Sequence, residues 1–119
     1  MTTPPPVASR PQLRLLVVCT ANRCRSPIGE VIALEVARQR GLNIAVCSAG
    51  TDAVAGAPAT DGAITTMRRQ GLDLGQHTSR PVTESLVAAA DLVVAMERRH
   101  VVDLVNIYDS DVRTTFTLP

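Results

Sequence analysis

Aromatic residues are almost absent: there is no Trp, one Tyr and one Phe in 119 residues. Stacking on aromatic faces is how proteins commonly hold unpaired bases, so a nucleic-acid partner is not expected. Charge of one sign is lacking too. Twelve Lys+Arg stand against eleven Asp+Glu, and a net charge of +1 implies no polyelectrolyte partner. Cysteine is scarce and odd in number, three in all, which makes no disulfide framework and points to a reducing cytoplasm. Long apolar runs are missing. Leu13 to Ala21 is too short to cross a bilayer, and as a signal peptide it fails because Asn22 and Arg23 follow directly without an A-x-A-like cleavage site. No repeat is visible, and no membrane partner is expected.

What remains is an apolar fraction of 45%, mostly Val, Ala and Leu, enough for one domain with one core. Residues 1–12 carry Pro4, Pro5, Pro6 and Pro11 and read as a disordered tail, with the domain spanning 13–119. From Leu13 the pattern alternates. "LRLLVVC" (13–19) predicts a buried strand. A helix is expected over 27–40, with Ser26 as N-cap, Pro27 in the first helical position, Gly41 at the stop and an apolar face of Ile28, Val31, Ile32 and Val36. Strands follow at 43–47, 91–96 and 113–118. Helices follow at 57–71, at 83–90 behind a Thr83 cap, and at 97–105. The fold class is therefore α/β: three layers, a four-stranded parallel sheet with helices on both faces and right-handed crossovers.

Ligands in such sheets sit beyond the carboxyl ends of the strands. Cys19 ends the first predicted strand, so "CTANRCRS" (19–26) lies where a site belongs. Thr20, Ala21, Asn22, Arg23, Cys24 and Arg25 connect the strand to a helix N-terminus, and their backbone N–H groups can form a phosphate-binding nest. Arg25 offers a planar fork for two phosphate oxygens. The same positive field favours thiolate over thiol at Cys19, a nucleophile aimed at phosphorus. Ser26 can donate to that thiolate, and Asn22 tolerates a left-handed backbone.

"VVCTANRCRSP" (17–27) resembles the phosphate loop of the low-molecular-weight protein tyrosine phosphatases, V-C-x-G-N-x-C-R-S-P. "CSAGT" (47–51), "GAP" (56–58), "GLDLGQHTSRPV" (71–82) and "ADLVVAMERRH" (90–100) resemble further stretches of that family. The resemblance implies a phosphatase that hydrolyses phosphotyrosine or aryl phosphate monoesters through a cysteinyl-phosphate. Cys19 is the implied nucleophile and Arg25 the clamp on the transition state. Asn22, Ser26, Ser48 and His77 are implied loop supports. Cys24 is the implied redox partner of Cys19, with a small buried filler as the other reading. No cofactor and no metal are expected; a zinc site from Cys19, Cys24 and Cys47 would need two ligands on one tight loop, and Cys47 reads as packing. The implied partner is a phosphorylated protein or a small aryl phosphate.

Three positions depart from the family pattern. Ala21 stands where a glycine is usual, so the loop must reach its shape without a glycine's freedom. Arg23 stands where Ile or Met is frequent; a charge there favours acidic or doubly charged substrates unless it is merely solvated, the reading preferred here. The third departure is at the end. The D-P-[YF] general acid and the last helix of the family are not in the sequence, so a fragment or a degenerate copy is expected, with a C-terminal helix missing and self-association through exposed apolar side chains. Asp103, Asp109 and Asp111 read as solvated, with Asp109 and Asp111 the reserve candidates for the acid. Two other functions stay open: an arsenate reductase of the same fold using a low-molecular-weight thiol, and a non-catalytic phosphate-binding module.

Overall fold

The computed structural model describes residues 12–118; all of the predicted 1–12 tail but its last residue lies outside them. Among the described residues, four strands form one parallel sheet in the order β2-β1-β3-β4. They are β1 (Leu13–Cys19), β2 (Ile44–Gly50), β3 (Leu92–Ala95) and β4 (Thr115–Thr117). Among the described residues, four helices lie between the strands: α1 (Arg25–Arg40), α2 (Asp61–Arg69), α3 (Glu84–Ala89) and α4 (Arg98–Ile107), with α2 and α3 both between β2 and β3.

Alternation along β1 divides the core in two. Leu16 and Val18 point to one face, where they pack with Val93 and Ala95, with Val87 of α3 and with Leu104 of α4. The other face carries α1, which approaches so closely that a Cβ on Gly29 would lie 3.1 Å from Val17 Cγ1. Outside α1, Ala63 and Met67 of α2 close a second cluster with Ile28 and Val31. Helices thus cover both faces, and the three-layer α/β expectation holds.

Several boundaries move. Helix α1 begins at Arg25 rather than Pro27, and its N-cap is Cys24, which makes no side-chain cap bond. Ser26 is therefore not the cap; it lies in the first turn, fully buried, with its hydroxyl taken by the loop. The predicted apolar face of α1 is half right. Ile28 and Val31 pack, but Ile32 and Val36 are exposed, because α1 presents Gly29 and Ala37 to the sheet and its apolar residues run all round the helix. Strand β2 continues three residues past Cys47. Pairing with β1 in register from Leu13↔Ile44 to Cys19↔Gly50 overrides the poor strand propensity of Ser48, Ala49 and Gly50. Helix α2 starts only at Asp61, where the Thr60 hydroxyl accepts from Ala63 N–H and caps the first turn. Strand β4 is shorter than predicted because Asp111 draws Arg113 and Thr114 into a turn.

The chain runs from β1 outward to β2 and then back across to β3. The strand order reverses at β1 and β3, and the carboxyl ends of both strands border the crevice where such folds bind ligands.

Candidate active site

Cys19 ends β1 and is buried. The loop that follows is held from both neighbouring strands: Thr51 N–H donates to Cys19 O, Asp52 N–H to Thr20 O, and Met96 N–H to Val18 O, each at 2.9 Å. Gly50 is required there, since a Cβ would fall 2.3 Å from Thr20 O. The amide N–H groups from Thr20 to Arg25 have no acceptor among the described residues. Consecutive N–H groups of this kind at the start of a helix make a nest for an anion.

Asn22 fixes the loop from behind. It is fully buried with φ 57°, the left-handed conformation that asparagine tolerates. Arg80 N–H donates to Asn22 Oδ1 at 2.9 Å, so the other end of that amide must be its NH2 group. Its two hydrogens go to Ser26 Oγ and Ser48 Oγ, each at 2.9 Å. Ser48 donates to Glu30 Oε1 at 2.6 Å. Ser26 Oγ, which accepts from Asn22, also lies within hydrogen-bond distance of Cys19 Sγ, at 2.9 Å. His77 Nε2 lies 2.7 Å from the Asn22 carbonyl and, since a carbonyl only accepts, carries a proton there. The structure thus gathers Cys19, Asn22, Ser26, Ser48 and His77 into one network.

In front, Arg25 is half exposed and its Nη1 pairs with Glu97 Oε1. That leaves the Nε–H and Nη2–H side of the guanidinium, the edge that binds two oxygens at once, without a protein partner among the described residues. Glu97 is shared: its Oε2 accepts from Arg99 Nε at 2.7 Å. The two guanidinium groups, Arg99 first and Arg25 second, hold its carboxyl down at about 2. Thr20 turns its side chain toward α4, where Oγ1 meets His100 Nε2 and Arg99 Nη2, each at 2.9 Å.

Three expectations change here. Arg23 is not merely solvated: its Nε donates to Pro58 O at 2.8 Å and its carbonyl accepts from Thr60 N–H, which ties the loop to the entry of α2. Cys24 is exposed, not a buried filler. Cys47 packs against the first core cluster as expected, and burial raises its pKa. Asp109 and Asp111 precede β4 and so lie at the amino end of the sheet, opposite the loop; Asp111 is taken up by Arg113. Neither reaches the site as an acid. Sequence reasoning missed Gly50, Glu30, Arg80, Glu97, Arg99 and the pair Thr20–His100. One signal was present: "ERRH" puts a capping carboxylate and a histidine three apart at the carboxyl end of a strand, and they form a reciprocal cap on α4.

The model of the family described as "Low molecular weight phosphotyrosine protein phosphatase" matches residues 14–117. The chain belongs to that family. A "Protein-arginine-phosphatase" of Bacillus subtilis is 41% identical over 86 residues, covering 72% of this chain and 57% of the relative. A "Probable low molecular weight protein-tyrosine-phosphatase" of Ralstonia nicotianae is 39% identical over 83 residues, covering 70% and 54%. The chain thus spans little more than half the length of these curated relatives. The crystal structure of a low-molecular-weight protein tyrosine phosphatase from T. tengcongensis superposes with TM-score 0.85 at 35% identity, over 88% of this chain and 72% of the other. A mutant of the YwlE arginine phosphatase with a phosphorylated active-site serine superposes with TM-score 0.84 at 34% identity, over 88% and 68%. No described helix is long and apolar enough to cross a membrane.

Proposed function

We propose that this chain is a phosphomonoesterase that hydrolyses phosphotyrosine or aryl phosphate esters through a cysteinyl-phosphate, with residues 13–119 as the working domain. The observation that carries the reading is Cys19 Sγ, 2.9 Å from the Ser26 hydroxyl, at the base of a loop whose N–H groups from Thr20 to Arg25 are open. In the first step the thiolate attacks phosphorus and the P–O ester bond breaks, its electron pair leaving with the aryloxide. In the second, water attacks the cysteinyl-phosphate, the P–S bond breaks and the thiolate returns with inorganic phosphate. The N–H nest and the open edge of Arg25 stabilise the equatorial oxygens throughout. Asn22, Ser26, Ser48 and His77 hold the loop, and exposed Cys24 is the disulfide partner of Cys19 under oxidation.

Glu97 stands at the loop mouth but is ionised at neutral pH, so it holds no proton for the leaving group. The chain therefore cleaves esters of acidic phenols best. p-Nitrophenyl phosphate should turn over much faster than phosphotyrosine, since a positioned acid contributes roughly 10²–10⁴-fold. The test is Cys19→Ser. The variant should lose turnover of p-nitrophenyl phosphate while still binding vanadate, and mass spectrometry should find at most one stable phosphoryl group on Ser. Turnover equal to the parent's would overturn the assignment.

A second reading follows from the 41% identical arginine phosphatase: phosphoarginine as substrate. Arg23 in the loop weighs against it, because phosphoarginine carries its own guanidinium next to phosphorus. Comparing kcat/KM for phosphotyrosine and phosphoarginine peptides decides between them. Three unpaired cysteines support a reducing, cytoplasmic setting. Exposed Val102, Ile107, Phe116 and Leu118 support self-association, which sedimentation velocity would read.

A further inference from the structure

We propose that Thr20 and Arg99 form a second anion subsite beside the phosphate loop, which takes an acidic group of the substrate next to its phosphoryl group. The proposal rests on the phosphatase reading above and names the substrate class of the same site: phosphotyrosine flanked by Glu or Asp.

The argument follows the protons. Glu97 N–H donates to His100 Nδ1 at 3.1 Å, so Nδ1 is unprotonated. His100 is 1% exposed, and its neutral ring therefore carries the hydrogen on Nε2, which donates to Thr20 Oγ1 at 2.9 Å. Arg99 Nη2 donates to the same oxygen at 2.9 Å. A hydroxyl oxygen accepts two hydrogen bonds, and both acceptor positions of Thr20 Oγ1 are now filled. Its own proton has no acceptor among the described residues. Arg99 is in the same condition. Nε and Nη2 are held by Glu97 and Thr20, Nη1 has no described partner, and the side chain is 62% exposed.

These donors are fixed before any ligand arrives. The His100 ring is locked at both nitrogens, and Arg99 is held at two of its three. Thr20 is bonded directly to Cys19 in sequence, so the subsite adjoins the phosphoryl position. Glu97 is the opposing charge, but it is divided between Arg25 and Arg99, and two guanidinium groups against one carboxylate leave the mouth positive. A carboxylate beside the phosphoryl group satisfies the open Thr20 hydroxyl and Arg99 Nη1 together. A neutral or basic flank does not.

The test compares three phosphotyrosine peptides that differ only in residues flanking the phosphotyrosine: Glu, Gln or Lys. On the parent protein kcat/KM should be about fivefold higher for Glu than for Gln, the size of an exposed charge-assisted contact, and lowest for Lys. The difference should reside in KM and shrink as salt is raised. Arg99→Ala and Thr20→Val should bring the Glu/Gln ratio close to one, whereas Thr20→Ser, which restores the hydroxyl, should keep it. Calorimetric affinities of Cys19→Ala for the same peptides give the ratio without turnover, so a failure of hydrolysis is told apart from a failure of the subsite. A ratio near one on the parent, or a ratio untouched by Arg99→Ala, overturns the proposal.

Discussion

Two hydrogen-bond chains meet at one loop, and they differ in burial. Behind the loop, Asn22, Ser26 and Ser48 are all buried, and each of their buried side-chain polar atoms has a partner. In front, Arg25, Glu97 and Arg99 stand in water on one another's charges. Position-fixing bonds are placed where solvent cannot compete with them. Groups that must exchange partners with a substrate are placed where solvent lowers the cost of exchange. The rear chain should therefore govern stability and geometry together, and the front chain should govern chemistry and selectivity with little effect on stability.

The strongest test of that division is Asn22→Ala. It removes two donors and an acceptor from a buried site, strands the Arg80 N–H and places alanine at φ 57°. We expect a loss of about 3 kcal/mol, or roughly 10 °C or more in Tm, with turnover largely lost. Arg99→Ala should move Tm by less than about 2 °C, as exposed ion pairs contribute little. Equal thermal losses for the two would erase the distinction.

Next in size is Arg25→Lys. It keeps the charge and the chance of pairing with Glu97 but loses the two-toothed edge. We expect kcat/KM to fall by about 10²–10³, as when one oxyanion donor is removed, with Tm nearly unchanged. A drop below threefold would mean that charge alone operates there.

His100 joins the two chains' behaviours, being buried yet part of the front. Burial, with help from Arg99, lowers its pKa below 6.5, while Glu97 and Asp103 pull the other way and Arg25 adds to the lowering. The folded state thus binds fewer protons than the unfolded one between that lowered value and 6.5. Its stabilising contribution is complete above about pH 6.5 and is lost as pH falls through the window, by at most about 1.4 kcal/mol per pH unit. Urea unfolding at pH 7.5 and 5.5 should show a larger acid loss for the parent than for His100→Gln. Equal losses would remove His100 from the account.

The contrast also explains what could be read in advance. The sheet and its helices were legible because "LRLLVVC" and "DLVVAM" are apolar runs bounded by caps and glycines, and the nucleophile loop because Cys19, Arg25 and Ser26 are close in sequence. The rear supports Ser48 and His77 were reached through family resemblance, since nothing local marks a serine at a strand end as a partner of an asparagine 26 residues away. The front chain went largely unread because its bonds span 72 to 80 residues, and a run such as "ERRH" looks like a solvated helix start until β3 delivers it to the loop. Ser26 was misread as a cap for the converse reason: its local preference is real, but Asn22 and Cys19 compete for the hydroxyl and win.

The smallest effect on turnover is expected at Ala21, next to the position with the largest. A glycine is usual there in the family pattern, yet among the described non-glycine residues only Asn22 and Asp109 have positive φ. Ala21 therefore sits in ordinary backbone space, and its methyl group is exposed. Ala21→Gly removes no contact of the buried chain and relieves no strain; it chiefly adds freedom to the unfolded chain. That should cost about 0.5–1 kcal/mol and leave kcat/KM within twofold. Calorimetric melting beside p-nitrophenyl phosphate kinetics would read both. A gain in stability, or a rate increase beyond threefold, would mean that the alanine strains the loop. The division between Asn22, which sets the loop's shape, and Ala21, which merely follows it, would then have to be redrawn.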